Sequence, residues 1–194
     1  GSEPLPQTTA LSLLAIDKKS SKTLVEKNIN ISLAPASTAK LMTAIISLDI
    51  YDLEEVLAVS DYCAKVEGTK AFLPVNKIFK VKDLLNSMLI GSAGDSACVL
   101  ATSKMSEQDF VAKMNEKGNS LGMTSTNFSN PIGFDDAYGN NYSNTLDLYK
   151  LAVYATSISE IKKIVGTKDF YFTDVERGIN LLVRNTNRLL WEIP

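Results

Sequence analysis

Histidine is absent from all 194 residues, and that single absence removes the most familiar ways of activating a hydroxyl or a thiol. A Ser-His-Asp triad, a Cys-His pair and a zinc site of the His-Glu type all need an imidazole. An excess of basic charge is missing too. Lys and Arg number 20 against 22 Asp and Glu, a net charge of −2, and no local basic cluster compensates, so no field holds a nucleic-acid backbone and nucleic acid is not expected as a partner. Long apolar runs are lacking as well. None reaches the roughly 18 residues that cross a bilayer, and the best candidate, Leu41–Ile50, is broken by polar positions. Nor does a charged and then apolar leader open the chain, so localisation is not directly legible. Cysteine is scarce: Cys63 and Cys98 lie far apart, each in apolar sequence, which favours two buried free thiols over a bridge.

What is present suits one globular domain with a sizeable core, since 45% of the residues are hydrophobic and 22% charged. Thr8–Asp17 reads as a strand, Lys18–Lys22 as a polar turn, and Thr23–Glu26 as the returning strand of a hairpin. After Pro35, Leu41, Ala44, Ile45 and Leu48 recur at helical spacing, with the proline placed where a helix can begin. That helix is expected to be central and buried. Val81–Ile90 and Asp95–Met105 have the spacing of two more helices, separated by a break at Ser92-Ala93-Gly94. Gln108–Leu121 is an amphipathic helix that stops at Gly122, Asn127–Asn141 is a loop containing Pro131, and Asn144–Ala155 returns to helix. Lys168–Thr173 and Ile179–Val183 read as short strands, after which the chain ends abruptly. No internal repeat or linker interrupts this order, and the class is mixed α and β.

In Ser37-Thr38-Ala39-Lys40 a hydroxyl and an amine stand three positions apart, so on a helix they share a face. Without histidine, a lysine can take a serine proton near neutral pH when burial lowers its own pKa, which makes a Ser-Lys dyad the natural reading. Spacing alone does not decide, because Ser159-Glu160-Ile161-Lys162 satisfies it too and reads as a solvated helix end. For Ser37 itself an N-cap role fits its position equally well.

Residues 34–44, APASTAKLMTA, resemble the Pro-Ala-Ser-x-x-Lys-x-Met-Thr-Ala signature of the D-alanyl-D-alanine carboxypeptidase family of low-molecular-mass penicillin-binding proteins. EGTKAFL, LLNSMLIGSAGDSACVLA, FVAKMNEKGNSLGMTSTNFSNPIGFDD and YSNTLDLYKLA extend the resemblance in order and spacing across nearly the whole chain. The resemblance implies an α+β, β-lactamase/transpeptidase-like fold: one domain over residues 1–194, with a helical lobe packed on an antiparallel sheet. It also implies catalytic roles for Ser37 as nucleophile, Lys40 as base and Ser92 as proton relay. Two departures stand out. Gly94 occupies the place of the asparagine of Ser-x-Asn, a substrate-binding position, so water is expected to stand in for its amide. The third motif, Lys-Thr-Gly, is absent, because Gly166-Thr167-Lys168 has the residues in reverse order and reads as a turn. The domain is therefore expected to be incomplete, its C-terminal strands missing from this chain.

By the same resemblance the substrate is the stem peptide of peptidoglycan, β-lactams acylate the same serine, no metal or organic cofactor is needed, and the enzyme works outside the cytoplasmic membrane. Membrane attachment would come only through an anchor outside this chain. A serine β-lactamase is disfavoured, since no Glu-x-x-Leu-Asn segment is present. A catalytically degenerate wall-binding or regulatory domain of the same fold remains the alternative from a different class.

Overall fold

The computed structural model describes residues 8–135 and 139–192. The hairpin forms as expected from β1 (Leu13–Asp17) and β2 (Lys22–Lys27), antiparallel with an irregularity between Ala15 and Ile16. Asp17 closes its turn by accepting from the Lys19 amide at 3.0 Å and the Ser20 hydroxyl at 2.7 Å. The first strand begins later than its sequence suggests. Residues 10 and 11 are held through side chains instead, with Lys27 Nζ donating to the Ala10 carbonyl and Asn28 Nδ2 to the Leu11 carbonyl.

Pro35 leads into a single 3-10 turn, Ala36–Thr38, which continues as α1 (Ala39–Ile50). From Met42 to Ser47 every residue of α1 is buried. This near-complete burial makes α1 the axis of the lobe, and the later helices α3, α4, α5 and α6 pack on it. These are α3 (Val81–Gly91), α4 (Gly94–Thr102), α5 (Glu107–Ser120) and α6 (Thr145–Ser157). All four lie within a residue or a few of the positions their periodicity predicts. As expected, α5 stops at Gly122, whose φ of +74° lets the Met123 amide fold back onto the Gly118 carbonyl at 2.9 Å. Asn144 caps α6 by accepting from the Asp147 amide. Ser159 and Lys162 sit exposed on the short α7 (Ser159–Val165), as a solvated helix end should.

Four short elements escaped the sequence reading: β3 (Val56–Ala58), α2 (Asp61–Ala64), β4 (Ile78–Lys80) and, near the last residues, the helix Leu189–Glu192. Three or four residues are too few to display a period. The chain closes with the hairpin β5 (Asp169–Thr173) and β6 (Asn180–Arg184), and with α8 (Leu189–Glu192). Among the described residues the strands form three separate two-stranded antiparallel pieces, β1–β2, β3–β4 and β5–β6. The first packs on α6 and the last on α3. An α+β lobe results, with Met42, Leu84, Met88, Leu100, Phe79 and Phe110 among the fully buried side chains at its centre. Among the described residues no helix is long and apolar enough to cross a membrane.

The cysteines correct the sequence reading. Cys63 and Cys98 are both buried, but they form a disulfide that ties α2 to α4. Apolar flanking sequence signals burial equally for a thiol and for a cystine, so local context carried no information on pairing.

Asp95 anchors a second cross-link to α4. Its carboxylate is fully buried and accepts from the Ala71 amide at 3.0 Å and the Leu73 amide at 2.9 Å, besides the Ser96 amide of its own helix turn. Phe72, between the two clamped amides, takes φ +61° and turns its ring to solvent. Asp95→Ala should leave the Ala71 and Leu73 amides buried without an acceptor and cost about 3 kcal/mol. Urea unfolding measures this, and an unchanged midpoint would show that the clamp contributes nothing.

Candidate active site

The 3-10 turn that carries Ser37 is built by local geometry. The Thr38 amide and hydroxyl both bond the Pro35 carbonyl, at 3.2 and 2.5 Å, and Ala36 is forced to φ +48°. A left-handed backbone at a non-glycine residue is strained, and it concentrates where the surrounding structure holds it in place. Here Gly133 does the holding. At φ +88° its backbone lies so close that a Cβ would come within 1.9 Å of the Ala36 carbonyl oxygen, so only glycine fits.

The turn leaves Ser37 exposed while Ala39 and Lys40 are buried. Lys40 Nζ lies 3.0 Å from Ser37 Oγ and donates to the Ile132 carbonyl at 2.7 Å. Thr43, about one helical turn further in, donates to the neighbouring Pro131 carbonyl at 2.6 Å. Lys40 is only 4% exposed, and burial pushes its pKa from the ordinary 10.5 down to about 8. Charging an amine in that setting is disfavoured, so near neutral pH a useful fraction is free base.

Ser92 approaches Ser37 from the other side. It ends α3 in the left-handed conformation, φ 56° and ψ 32°, and its hydroxyl donates to Ser37 Oγ at 2.9 Å. Neither serine is a helix N-cap, although Ser92 is the C-terminal cap of α3. No side-chain cap bond is made at the start of the 3-10 turn, of α1 or of α4, where the capping position is Ala93. Three of the sequence-predicted residues, Ser37, Lys40 and Ser92, are thus brought together within hydrogen-bonding distance.

Gly94 is not brought to Ser37 by any side chain. It opens α4, gives its amide to the Thr69 carbonyl at 2.8 Å, and would place a Cβ 3.1 Å from Ile132 Cγ2 and 3.2 Å from the Thr69 oxygen. Gly94 offers Lys40 no side chain, and the acceptor that Lys40 meets on the facing loop is the Ile132 carbonyl. Sequence reasoning passed over Pro131, Ile132 and Gly133 as ordinary loop, because a main-chain carbonyl has no signature in sequence; the glycine after Asn-Pro-Ile was the one available hint. Among the described residues no group of three or more His, Cys, Asp or Glu side chains is placed to hold a metal ion.

An exposed hydroxyl between a second hydroxyl and a buried amine of lowered pKa is an arrangement for nucleophilic attack on a carbonyl. Comparisons with known proteins agree in family. Residues 2–194 match the family model described as D-alanyl-D-alanine carboxypeptidase. The chain is 32% identical over 191 residues to the D-alanyl-D-alanine carboxypeptidase DacF of Bacillus subtilis, covering 95% of this chain and 48% of that protein. It is 29% identical over 194 residues to DacB2 of Mycobacterium tuberculosis, covering all of this chain and 66% of the relative. It therefore spans about half to two thirds of these relatives' lengths. A crystal structure of a D-alanyl-D-alanine carboxypeptidase from Mycobacterium tuberculosis superposes with a TM-score of 0.91 at 28% identity, over 100% of this chain and 73% of that one. A serine-to-alanine mutant of the Streptomyces K15 DD-transpeptidase does so at 0.90 and 26%, over 97% and 78%. The lobe thus has the fold of penicillin-binding DD-peptidases, and the chain belongs to the D-alanyl-D-alanine carboxypeptidase family.

Proposed function

We propose that this protein is a serine-type D-Ala-D-Ala carboxypeptidase acting on peptidoglycan stem peptides, with Ser37 as nucleophile, Lys40 as general base and Ser92 as proton relay. The observation that carries the reading is the position of Ser37 Oγ, 3.0 Å from the buried Lys40 amine and 2.9 Å from the Ser92 hydroxyl.

In this reading the neutral Lys40 amine takes the Ser37 proton as Oγ attacks the carbonyl between the two D-alanines. The Ser37 backbone amide is one donor to the oxyanion that forms. As the tetrahedral intermediate collapses, the C–N bond breaks and the proton on Lys40 passes to the departing amine of D-alanine through the Ser92 hydroxyl. Water then attacks the Ser37 ester, Lys40 accepting its proton and handing it to Ser37 Oγ as the C–O bond breaks, and the shortened peptide leaves. Each proton taken is returned, so the cycle needs no cofactor. β-Lactams acylate the same oxygen, their ring amide standing in for the scissile bond. A site outside the cytoplasmic membrane follows from this substrate and suits the buried Cys63–Cys98 disulfide.

The full-length protein should release D-alanine from a peptide ending in D-Ala-D-Ala. Because the working form of Lys40 is the free amine and its pKa lies at about 8, the acylation rate should climb as pH rises, with its midpoint near that value rather than near the ordinary 10.5. A profile flat from about pH 6 to 9 would remove Lys40 as the base. Nitrocefin tests the neighbouring reading: rapid turnover in place of a stable acyl-enzyme would indicate a β-lactamase. Absence of both acylation and D-alanine release would favour a non-catalytic domain, a reading that Gly94 keeps open.

A further inference from the structure

The loop that reaches Ser37 and Lys40 is organised by one side chain. Asn130 Oδ1 accepts from three successive amides, those of Ile132 at 3.2 Å, Gly133 at 2.7 Å and Phe134 at 3.0 Å. Its Nδ2 donates to the Phe134 carbonyl at 3.0 Å and to Ser129 Oγ at 3.3 Å, so the carboxamide closes a ring around the turn. A second amide, Asn141 Nδ2, holds the same Phe134 carbonyl at 2.8 Å. Turning three N–H groups inward leaves the Pro131 and Ile132 carbonyls free to point outward, and these are the two that take Thr43 and Lys40. It also presses the Gly133 backbone against the Ala36–Ser37 peptide.

We infer that Asn130 is a positioning residue for the Ser37–Lys40 pair: its carboxamide shapes the turn that places the Ile132 carbonyl on the lysine amine and Gly133 against the nucleophile's own peptide. The inference rests on the reading of Ser37 and Lys40 given above. Its physical content is a division of labour on Lys40. An amine on a four-carbon stem has many rotamers, and it acts as a base only when its lone pair meets the Ser37 proton. The Ile132 carbonyl takes one N–H and thereby limits where the lone pair can point. Asn130 touches neither substrate nor reacting atoms and acts through that carbonyl. No charged side chain supplies the constraint in its place, since among the described residues Lys40 has no ion-pair partner.

The test measures acylation of the full-length protein by a fluorescent penicillin in stopped flow, which separates the limiting rate from the half-saturating concentration. Asn130→Ala should lower the limiting rate about 10²-fold, the size of effect that loss of orientation produces. The half-saturating concentration should stay within about twofold, because the binding surface is untouched. Asn130→Asp keeps an acceptor for the three amides and should recover about tenfold of the loss. Asn141→Ala removes only the second bond to Phe134 and should leave the limiting rate within about threefold. An unchanged rate in Asn130→Ala would overturn the inference, as would equal loss in the alanine and aspartate variants. If the parent protein takes no label at all, the proposed function fails rather than this inference. The Nζ and Cε resonances of Lys40 then give an independent reading: Asn130→Ala should move them, and unmoved resonances would overturn the positioning role.

Discussion

Ser37→Ala should erase covalent labelling of the full-length protein by a fluorescent penicillin. Among the described residues no second oxygen is poised to replace it: Ser92 Oγ stands 2.9 Å from Ser37 Oγ but gives its proton to that atom, and the Lys40 amine is bonded to Ser37 and Ile132 rather than to Ser92. Lys40→Met should be nearly as severe, lowering the acylation rate by about 10⁴-fold, the upper range for a general base that also orients its nucleophile. Lys40→Arg sharpens the test. A guanidinium keeps the charge and the donors but does not lose a proton in water's pH range, so it should match the methionine variant if the amine works as a base. If Arg instead restored most of the rate, the positive charge rather than the lone pair would be what Lys40 contributes. Label persisting in Ser37→Ala would move the nucleophile elsewhere and with it the whole catalytic assignment.

Loss of the disulfide should be the largest stability effect. Cys63 and Cys98 close a loop of sequence separation 35, and in the chain-entropy account a cross-link of that span stabilises by about 3–4 kcal/mol through the unfolded state. Two consequences distinguish this from the free thiols that sequence context favours. The intact protein should show the mass of an oxidised pair under non-reducing conditions, and the Cys63→Ala/Cys98→Ala double variant should unfold at markedly lower urea. The bridge is buried at both ends, so reductant should act only as fast as the protein opens. Two alkylatable thiols in the native protein would overturn the bridge. The effect should also reach the site, because α4 is held by this bridge, by the Asp95 clamp on residues 71 and 73, and by the Ser87–Ser96 hydroxyl pair at 2.5 Å, and the connection into α4 carries Ser92.

Much of this was legible before any coordinates. Helices of nine residues or more announce themselves by period, and α1, α3, α4, α5 and α6 fell where Leu, Ile, Met and Ala recur. Gly122 and Pro35 punctuated them as backbone sterics require. The absence of histidine together with Ser37-x-x-Lys40 narrowed the chemistry to an amine acting on a hydroxyl. The sequence did not decide between a capping and a poised serine, since both demand a serine in the first turn; only the direction of Oγ separates them, and that depends on what surrounds it.

What the sequence by itself determined, then, is whatever follows from near neighbours along the chain: helical faces, turn residues, and a hydroxyl and an amine one helical turn apart. Only the tertiary structure decided the contacts made across long separations. The Ile132 carbonyl lies 92 residues from Lys40, Ser92 lies 55 from Ser37, and Asp95 reaches back 24 and 22 residues to its two amides. Those contacts use main-chain groups that every residue carries alike, or burial that any apolar neighbour could supply. The depressed pKa of Lys40 belongs to this second kind, because desolvation is a property of the packed surroundings and not of the residue.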